Sequence, residues 1–458
     1  MIRDAENELC RWLEASPRKP LILRGARQVG KSTLVRSLAK GRGMPLWEVN
    51  LERHPQLRET AVRLNVQGFL QETSLIRKER VGVGPGILFL DEIQAVPEAL
   101  NLLRYLHEER PDLPVIAAGS LLEFALAELQ TPMPVGRIVF HHLGPVTFRE
   151  FFRATEGDLS LEAMDSWTWG DIWSETLHQR TLQRCRDFLA VGGMPEATAA
   201  FAERGDFQAV AEIHRSILDT YREDFGKYAA RGSIEKIRRL FDFAPANIGQ
   251  KLRWSRVHEG WKSVDLRKAF DQLDRAGVLA GVHHSDGTGL PLSATVDDSV
   301  FKLLHLDVGL AQGALGGHAM PLDVFRQGRF VNEGPLAEQF VGQHLRHLHP
   351  GRRPELHYWL REGRSGNAEV DFLVAIDDKV VPVEVKSGAA GAMRSLHQFI
   401  AIRGGDLAVR FDLNPPSVQN IQTECETPNG HRTAKFRLLS LPLCLAYRLP
   451  DLVRRVSA

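Results

Sequence analysis

The stretch LILRGARQVGKSTLVRSLAK, residues 21–40, decides how the first third of this chain is read. Leu21 to Leu23 is a short apolar strand. It runs into G-x-x-x-x-G-K-S, formed by Gly25, Gly30, Lys31 and Ser32, and a helix follows from Ser32 to about Ala39. Strand, glycine-rich loop and helix in that order build a phosphate cradle. The glycines let backbone N–H groups curl round an anion, and the helix N-terminus adds the positive end of its dipole. The lysine reaches the terminal phosphates and the hydroxyl can ligate Mg²⁺. The spacing predicts ATP held along Gly25, Ala26, Arg27, Gln28, Val29, Gly30, Lys31, Ser32 and Thr33, with Mg²⁺ on Ser32.

A second motif supports the first. GILFLDEIQ, residues 86–94, is an apolar strand that ends in two adjacent carboxylates. Asp91 is placed to complete the Mg²⁺ shell, and Glu92 to polarise an attacking water. A pair of carboxylates implies hydrolysis rather than binding alone. A third strand, LPVIAAGS, ends at Ser120.

Composition narrows the class. The chain has 458 residues, enough for about three domains. Hydrophobic residues make up 43% and charged residues 25%, ordinary for a globular protein. Lys plus Arg is 58 against 57 for Asp plus Glu, a net charge of +1, so any nucleic-acid footprint must be local. Cys10, Cys185, Cys425 and Cys444 are scattered, which reads as reduced thiols in a cytoplasmic protein. The start, MIRDAENELCRWLEAS, is charged and amphipathic rather than a signal peptide, and no apolar run approaches the ~18 residues of a membrane span.

The order of phosphate loop, DEIQ and AAGS resembles the AAA+ class of ATPases. There, a polar residue at the position of Ser120 senses the γ-phosphate, and one at the position of Asn50 orients the catalytic glutamate. PVGRIVFHHLGPVTFREF, residues 134–151, resembles a segment of a large prokaryotic family in which an AAA+ module precedes a C-terminal region of unknown function, DUF4143. FLAVGGMPEA (188–197), TYREDFGKYA (220–229) and FKLLHLDVGL (301–310) extend that likeness. The resemblance implies that Arg137 acts as an arginine finger across a subunit boundary, and that the protein assembles as a ring, a hexamer being favoured.

Between residues 234 and 284 the reading is a helix, a second helix with Leu266, Phe270 and Leu273 on one face, a stop at Gly277 and a short strand. This is a winged-helix layout. Arg253, Arg256, Arg267 and Lys268 are its candidates for contacts with DNA phosphates.

Further on, VNEGPLAEQFVGQHLRHL is an amphipathic helix with Glu338, HYWLREG a strand, AEVDFLVAIDDKVVPVEVKSG a hairpin, and GAMRSLHQFIAI a helix. Asp371 on one strand and Glu384-Val385-Lys386 on the next resemble the PD-(D/E)XK nuclease fold. The resemblance implies that Glu338, Asp371 and Glu384 hold a divalent cation, with Lys386 orienting a water. Val370 stands where that motif usually has proline.

The chain is therefore expected to be α/β: a P-loop AAA+ domain (1–150), a helical connector (151–230), a winged-helix-like domain (231–320), and an α/β restriction-endonuclease-like domain (321–458). The expected catalytic residues of the first domain are Lys31, Asp91, Glu92, Ser120 and Arg137. Two functions fit. One is an ATPase that binds and remodels or translocates DNA, with a nuclease-like domain that cleaves or has lost cleavage. The other is a nucleotide-gated switch in signalling, toxin–antitoxin systems or defence that acts on protein partners.

Overall fold

The computed structural model describes all residues except 120–135, 229–231, 317–332, 363–366, 387–392, 429 and 458. They form two compact units. One comprises Met1–Pro145 with the short pieces Arg275–Val278 and His349–Pro354; the other comprises Val146–Asp274, Leu279–Leu348 and Glu355–Ala458. The connector, winged-helix-like and C-terminal segments of the sequence reading thus share the second unit.

The first unit is built on a parallel sheet. Its described strands are β1 (Leu21–Arg24), β2 (Leu46–Asn50), β3 (Ile87–Asp91), β4 (Val115–Ala118) and β5 (Val139–His142). They lie in the order β2-β3-β4-β1-β5, every pairing parallel. β3 and β4 are buried along their whole length, as unbroken apolar runs are when both sheet faces are covered. Trp47, Phe69, Leu88, Leu90, Leu102 and Leu106 belong to the core beside them. β1 lies one strand from β3, so the loops leaving both strands open at the same edge of the sheet. That edge, at the carboxyl ends of parallel strands, is where such sheets bind ligands.

The second unit begins with helices. Helix Phe148–Ser166 opens with a capping box of Thr147 and Glu150 and breaks at Gly157 (φ 79°). That break interrupts the repeat of the helix's apolar face. Helix Ile234–Phe243, the short helix Trp254–Val257 and helix Ser263–Arg275 then lead into a hairpin of β6 (Leu279–Ser285) and β7 (Val296–His305). Bridges from Ile248 to Leu303 and from Lys251 to Lys302 add a third line to the hairpin. Helix Ser263–Arg275 buries Leu266, Ala269, Phe270 and Leu273, with the Phe270 ring 4.7 Å from that of Phe301.

Helix Glu333–Leu345 follows, then β8 (Leu356–Arg361), β9 (Ala368–Ile376), β10 (Lys379–Val385), helix Arg394–Arg403 and β11 (Leu407–Asp412). The remaining strands are β12 (Ser417–Thr427) and β13 (Gly430–Pro442). The described strands of this unit form one sheet in the order β12-β13-β11-β10-β9-β8-β6-β7. β9 and β10 are the expected antiparallel hairpin, β10 runs parallel to β11, and β6 joins β8 in parallel. The hairpin of the winged-helix-like segment is therefore continuous with the C-terminal sheet.

Candidate functional site

β1 delivers the phosphate loop. Gly25 has φ +148°, and a Cβ there would fall 2.2 Å from the carbonyl oxygen of Leu143, so only glycine fits. Gly30 takes a left-handed conformation at the start of helix Lys31–Gly41. Arg3, buried, donates to the carbonyls of Val29 (2.9 Å) and Gly144 (2.9 Å), tying the loop to the segment behind it. Sequence reasoning missed this brace; an arginine near a chain start carries no motif.

The Lys31 ammonium donates to the carbonyls of Gly25 (2.9 Å) and Ala26 (2.8 Å). Burial lowers its pKa to about 8; the charges of Glu92 and Asp91 oppose that shift, and Arg27 adds to it. The Ser32 hydroxyl donates to Asp91 Oδ2 at 2.9 Å, so the two expected Mg²⁺ ligands already meet across the sheet edge. Burial raises the Asp91 pKa, the Ser32 bond acts against it, and the charge of Glu92 adds to it. The oxygen donors fit a hard cation.

Glu92 sits in the left-handed region (φ 52°), which turns its side chain out of the line of β3. Gln94 donates to Glu92 Oε2 at 2.5 Å. The other end of that amide, Oε1, is buried without a partner among the described residues, and a Cβ on Gly119 would lie 2.2 Å from it. Gln94 thus spans from Glu92 to the end of β4. Asn50, the residue expected to orient Glu92, instead accepts from the N–H of Arg53 at 3.1 Å. Gln94 holds the glutamate in its place, and the DEIQ motif alone gives no sign of it. Arg137 is half-exposed, its Nε 3.4 Å from Glu108 Oε1. Ser120 lies outside the described residues.

In the second unit, Asp371 and Glu384 stand on the paired strands β9 and β10, and Glu338 lies on helix Glu333–Leu345. The Val385 N–H donates to Asp371 Oδ2 at 2.7 Å, and Lys386 donates to Glu384 Oε1 at 2.5 Å. Burial and the charge of Asp371 push the Glu384 carboxyl upward, while Lys386 acts against them. Among the described residues no group of three His, Cys, Asp or Glu converges as a metal site. Instead the carboxylates expected to hold a cation already face one. Lys302, fully buried on β7, contacts Glu338 Oε1 at 2.5 Å, Glu369 Oε1 at 3.0 Å and Asp371 Oδ1 at 3.8 Å. Burial by itself would lower the Lys302 pKa; Glu338, Asp371 and Glu369 reverse that and hold it above the ordinary lysine range. A lone lysine in the apolar run Val300–Leu304 is a sign that sequence reading could have used, because buried lysines need partners.

No helix among the described residues is long and apolar enough to cross a membrane. Three family models match: an AAA domain over residues 17–152, a domain of unknown function (DUF8612) over residues 182–320, and a domain of unknown function (DUF4143) over residues 333–424. No curated protein matches the chain. Among solved structures, the Walker-type ATPase PABY2304 of Pyrococcus abyssi is 18% identical, covering 69% of this chain and 96% of that one, with a TM-score of 0.40. The Aeropyrum pernix ORC2 protein, in ADPNP–ADP complexes, is 15% identical over 71% of this chain and 92% of that one, with a TM-score of 0.34. The Thermotoga maritima RuvB Holliday junction branch migration motor is 15% identical over 60% and 88%, with a TM-score of 0.28. Site geometry and family matches agree on the frame of the molecule: an AAA domain with a P-loop in the N-terminal unit, followed by a DUF4143 region.

Proposed function

We propose that this protein hydrolyses ATP at the Lys31–Ser32–Asp91–Glu92 site and uses the cycle to bind and remodel DNA as a ring, a hexamer being favoured. The observation that carries the reading is the meeting of Ser32 with Asp91 beside a Glu92 held by Gln94. Mg²⁺ held by Ser32 and Asp91 would neutralise charge developing on the phosphates. Lys31 leaves its loop carbonyls for the terminal phosphates. Glu92 accepts a proton from the attacking water, and Gln94 keeps that carboxylate aimed. Arg137 acts from a neighbouring subunit, leaving Glu108 to reach the transferring phosphoryl group.

The helix–helix–hairpin layout of residues 234–305 supports a winged-helix module, with Arg253, Arg256, Arg267 and Lys268 as phosphate contacts. The order helix, β8, β9, β10, helix, β11, with Asp371 and Glu384-Val385-Lys386 on neighbouring strands, supports a restriction-endonuclease-like C-terminal fold. One observation favours the second reading, a switch acting on protein partners. Helix Ser263–Arg275 carries as many acidic as basic residues, and Arg267 is already bonded to Asp271 and to the carbonyl of Asp298.

Steady-state ATP hydrolysis decides between them. It would be measured alone and with single-stranded, duplex and four-way-junction DNA, with Lys31→Ala as the blank. Faster turnover with one DNA form is the expected result. A rate above the blank that ignores every DNA would leave the switch. A rate no higher than the blank would remove the ATPase reading itself.

A further inference from the structure

The carboxylate cluster of the second unit is arranged around an ammonium rather than around a position open to a metal. Lys302 Nζ contacts Glu338, Glu369 and Asp371, and it lies 5.0 Å from the ring centre of Tyr358 and 5.7 Å from that of Phe372. Carboxylates and the faces of aromatic rings both favour a cation. Backbone fills part of the remaining space. Gly249 (φ +71°) brings its backbone so near that a Cβ would fall 2.3 Å from Glu338 Oε2. Both oxygens of Asp371 are engaged, Oδ1 toward Lys302 and Oδ2 by the Val385 N–H. Glu384 Oε1 accepts from Lys386, and its Oε2 is buried without a partner among the described residues.

A divalent ion bound by oxygen needs ligands at roughly 2.0–2.6 Å. At the common reach of Glu338 and Asp371 it would overlap the Lys302 ammonium or lie against it, like charge on like charge in a buried site. The lysine cannot swing away cheaply, because it is fully buried and would leave Glu338 and Glu369 without their partner.

We propose that the Nζ of Lys302 is the resident cation of this cluster, that it takes the place a divalent metal between Glu338 and Asp371 would need, and that these carboxylates serve as a metal-free joint in the C-terminal sheet. The lysine also joins the β6–β7 hairpin to helix Glu333–Leu345 and to β9, so the winged-helix-like segment and the C-terminal sheet fold as one body. The inference is independent of the ATPase reading, since it concerns other residues in the other unit.

The test is Mn²⁺ uptake by the full chain without nucleotide, read from the loss of the free-ion electron paramagnetic resonance signal. The wild type is expected to take up no Mn²⁺ that Asp371→Asn removes. Lys302→Met is expected to gain one ion per chain, lost again when Asp371→Asn is added. Saturable uptake by the wild type that Asp371→Asn abolishes and Asp91→Asn leaves intact would overturn the proposal. So would a folded Lys302→Met protein that takes up none. If Lys302→Met alone does not fold, Lys302→Met/Glu338→Gln decides, because it removes both charges of the closest pair. Its melting temperature is expected to recover most of the loss. A double variant that still fails to fold, where Glu338→Gln alone folds, would refute the charge balance.

Discussion

Lys31 makes nucleotide binding pH-dependent in a direction that can be worked out beforehand. In the nucleotide-free protein its pKa is lowered to about 8, because burial outweighs the attraction of Glu92 and Asp91. Terminal phosphates would hold the ammonium charged well above that value. For a base whose free-state pKa lies below its bound-state pKa, binding takes up a proton at pH values between the two. Uptake through Lys31 should therefore rise from roughly 0.1 proton per nucleotide at pH 7 to roughly 0.9 at pH 9. Affinity falls in step, about tenfold between those pH values, or ~1.4 kcal/mol. The assay is isothermal titration calorimetry with a slowly hydrolysed ATP analogue in buffers of different ionisation enthalpy. The slope of observed enthalpy against buffer enthalpy gives the protons exchanged. Lys31→Arg is the control, since a guanidinium stays charged throughout this range and should show no such uptake. A wild-type slope that stays near zero at pH 9, with binding retained, would refute the claim that burial neutralises Lys31 in the free protein.

Two other sites give sharp expectations. Glu92→Gln should keep nucleotide affinity and lower kcat by about 10²–10⁴, the range for losing a general base. Gln94→Leu should lower kcat less and leave nucleotide affinity near wild type; unchanged kcat there would mean that Glu92 needs no help in aiming. Asp307 is fully buried and accepts from the N–H groups of Gly193 (2.6 Å) and Leu310 (3.0 Å). Asp307→Ala leaves two buried donors unmatched at about 1–3 kcal/mol each, so urea unfolding of the second unit should show a loss of roughly 2–6 kcal/mol. A loss under ~1 kcal/mol would mean that water or backbone movement satisfies both donors.

The parts of this molecule that were legible in sequence are those whose chemistry is local. Gly25 to Thr33 fold against one another within a single turn, and Asp91 and Glu92 stand at the end of one apolar strand. Spacing alone therefore carries their geometry. The helix of residues 263–275 was legible for the same reason, because its apolar face repeats every three to four residues. Gln94 was not legible, because its effect comes from lying between Glu92 and Gly119, and the second of these follows another strand, β4. The segments FLAVGGMPEA and FKLLHLDVGL carried no readable chemistry one at a time. Folded together they have one purpose. Asp307 caps helix Val308–Ala314, bonds the Gly193 N–H, and lies where a Cβ on Gly192 would come within 2.0 Å of Oδ1. A Cβ on Gly309 would come within 2.5 Å of Val191. Glycines at 192 and 309 are there because two backbones touch, a fact that neither segment holds alone.

The same distinction bears on the carboxylates of the C-terminal sheet. Asp on one strand and Glu-x-Lys on the next describe how a pair of strands presents its charges, and β9 and β10 do pair in that way. What the charges do depends on what stands opposite them, and here that is Lys302, which arrives from a hairpin dozens of residues earlier in the chain. Had β7 offered Phe301 or Leu303 to that space, four carboxylates, Glu384 buried and the others partly so, would stand against Lys386 alone, and a divalent ion would be the natural remedy. With an ammonium in the middle, the remedy is already part of the polypeptide. Sequence motifs of this kind therefore identify a scaffold, and chemistry can be read from them only after the neighbouring strand has been examined for the charge it brings.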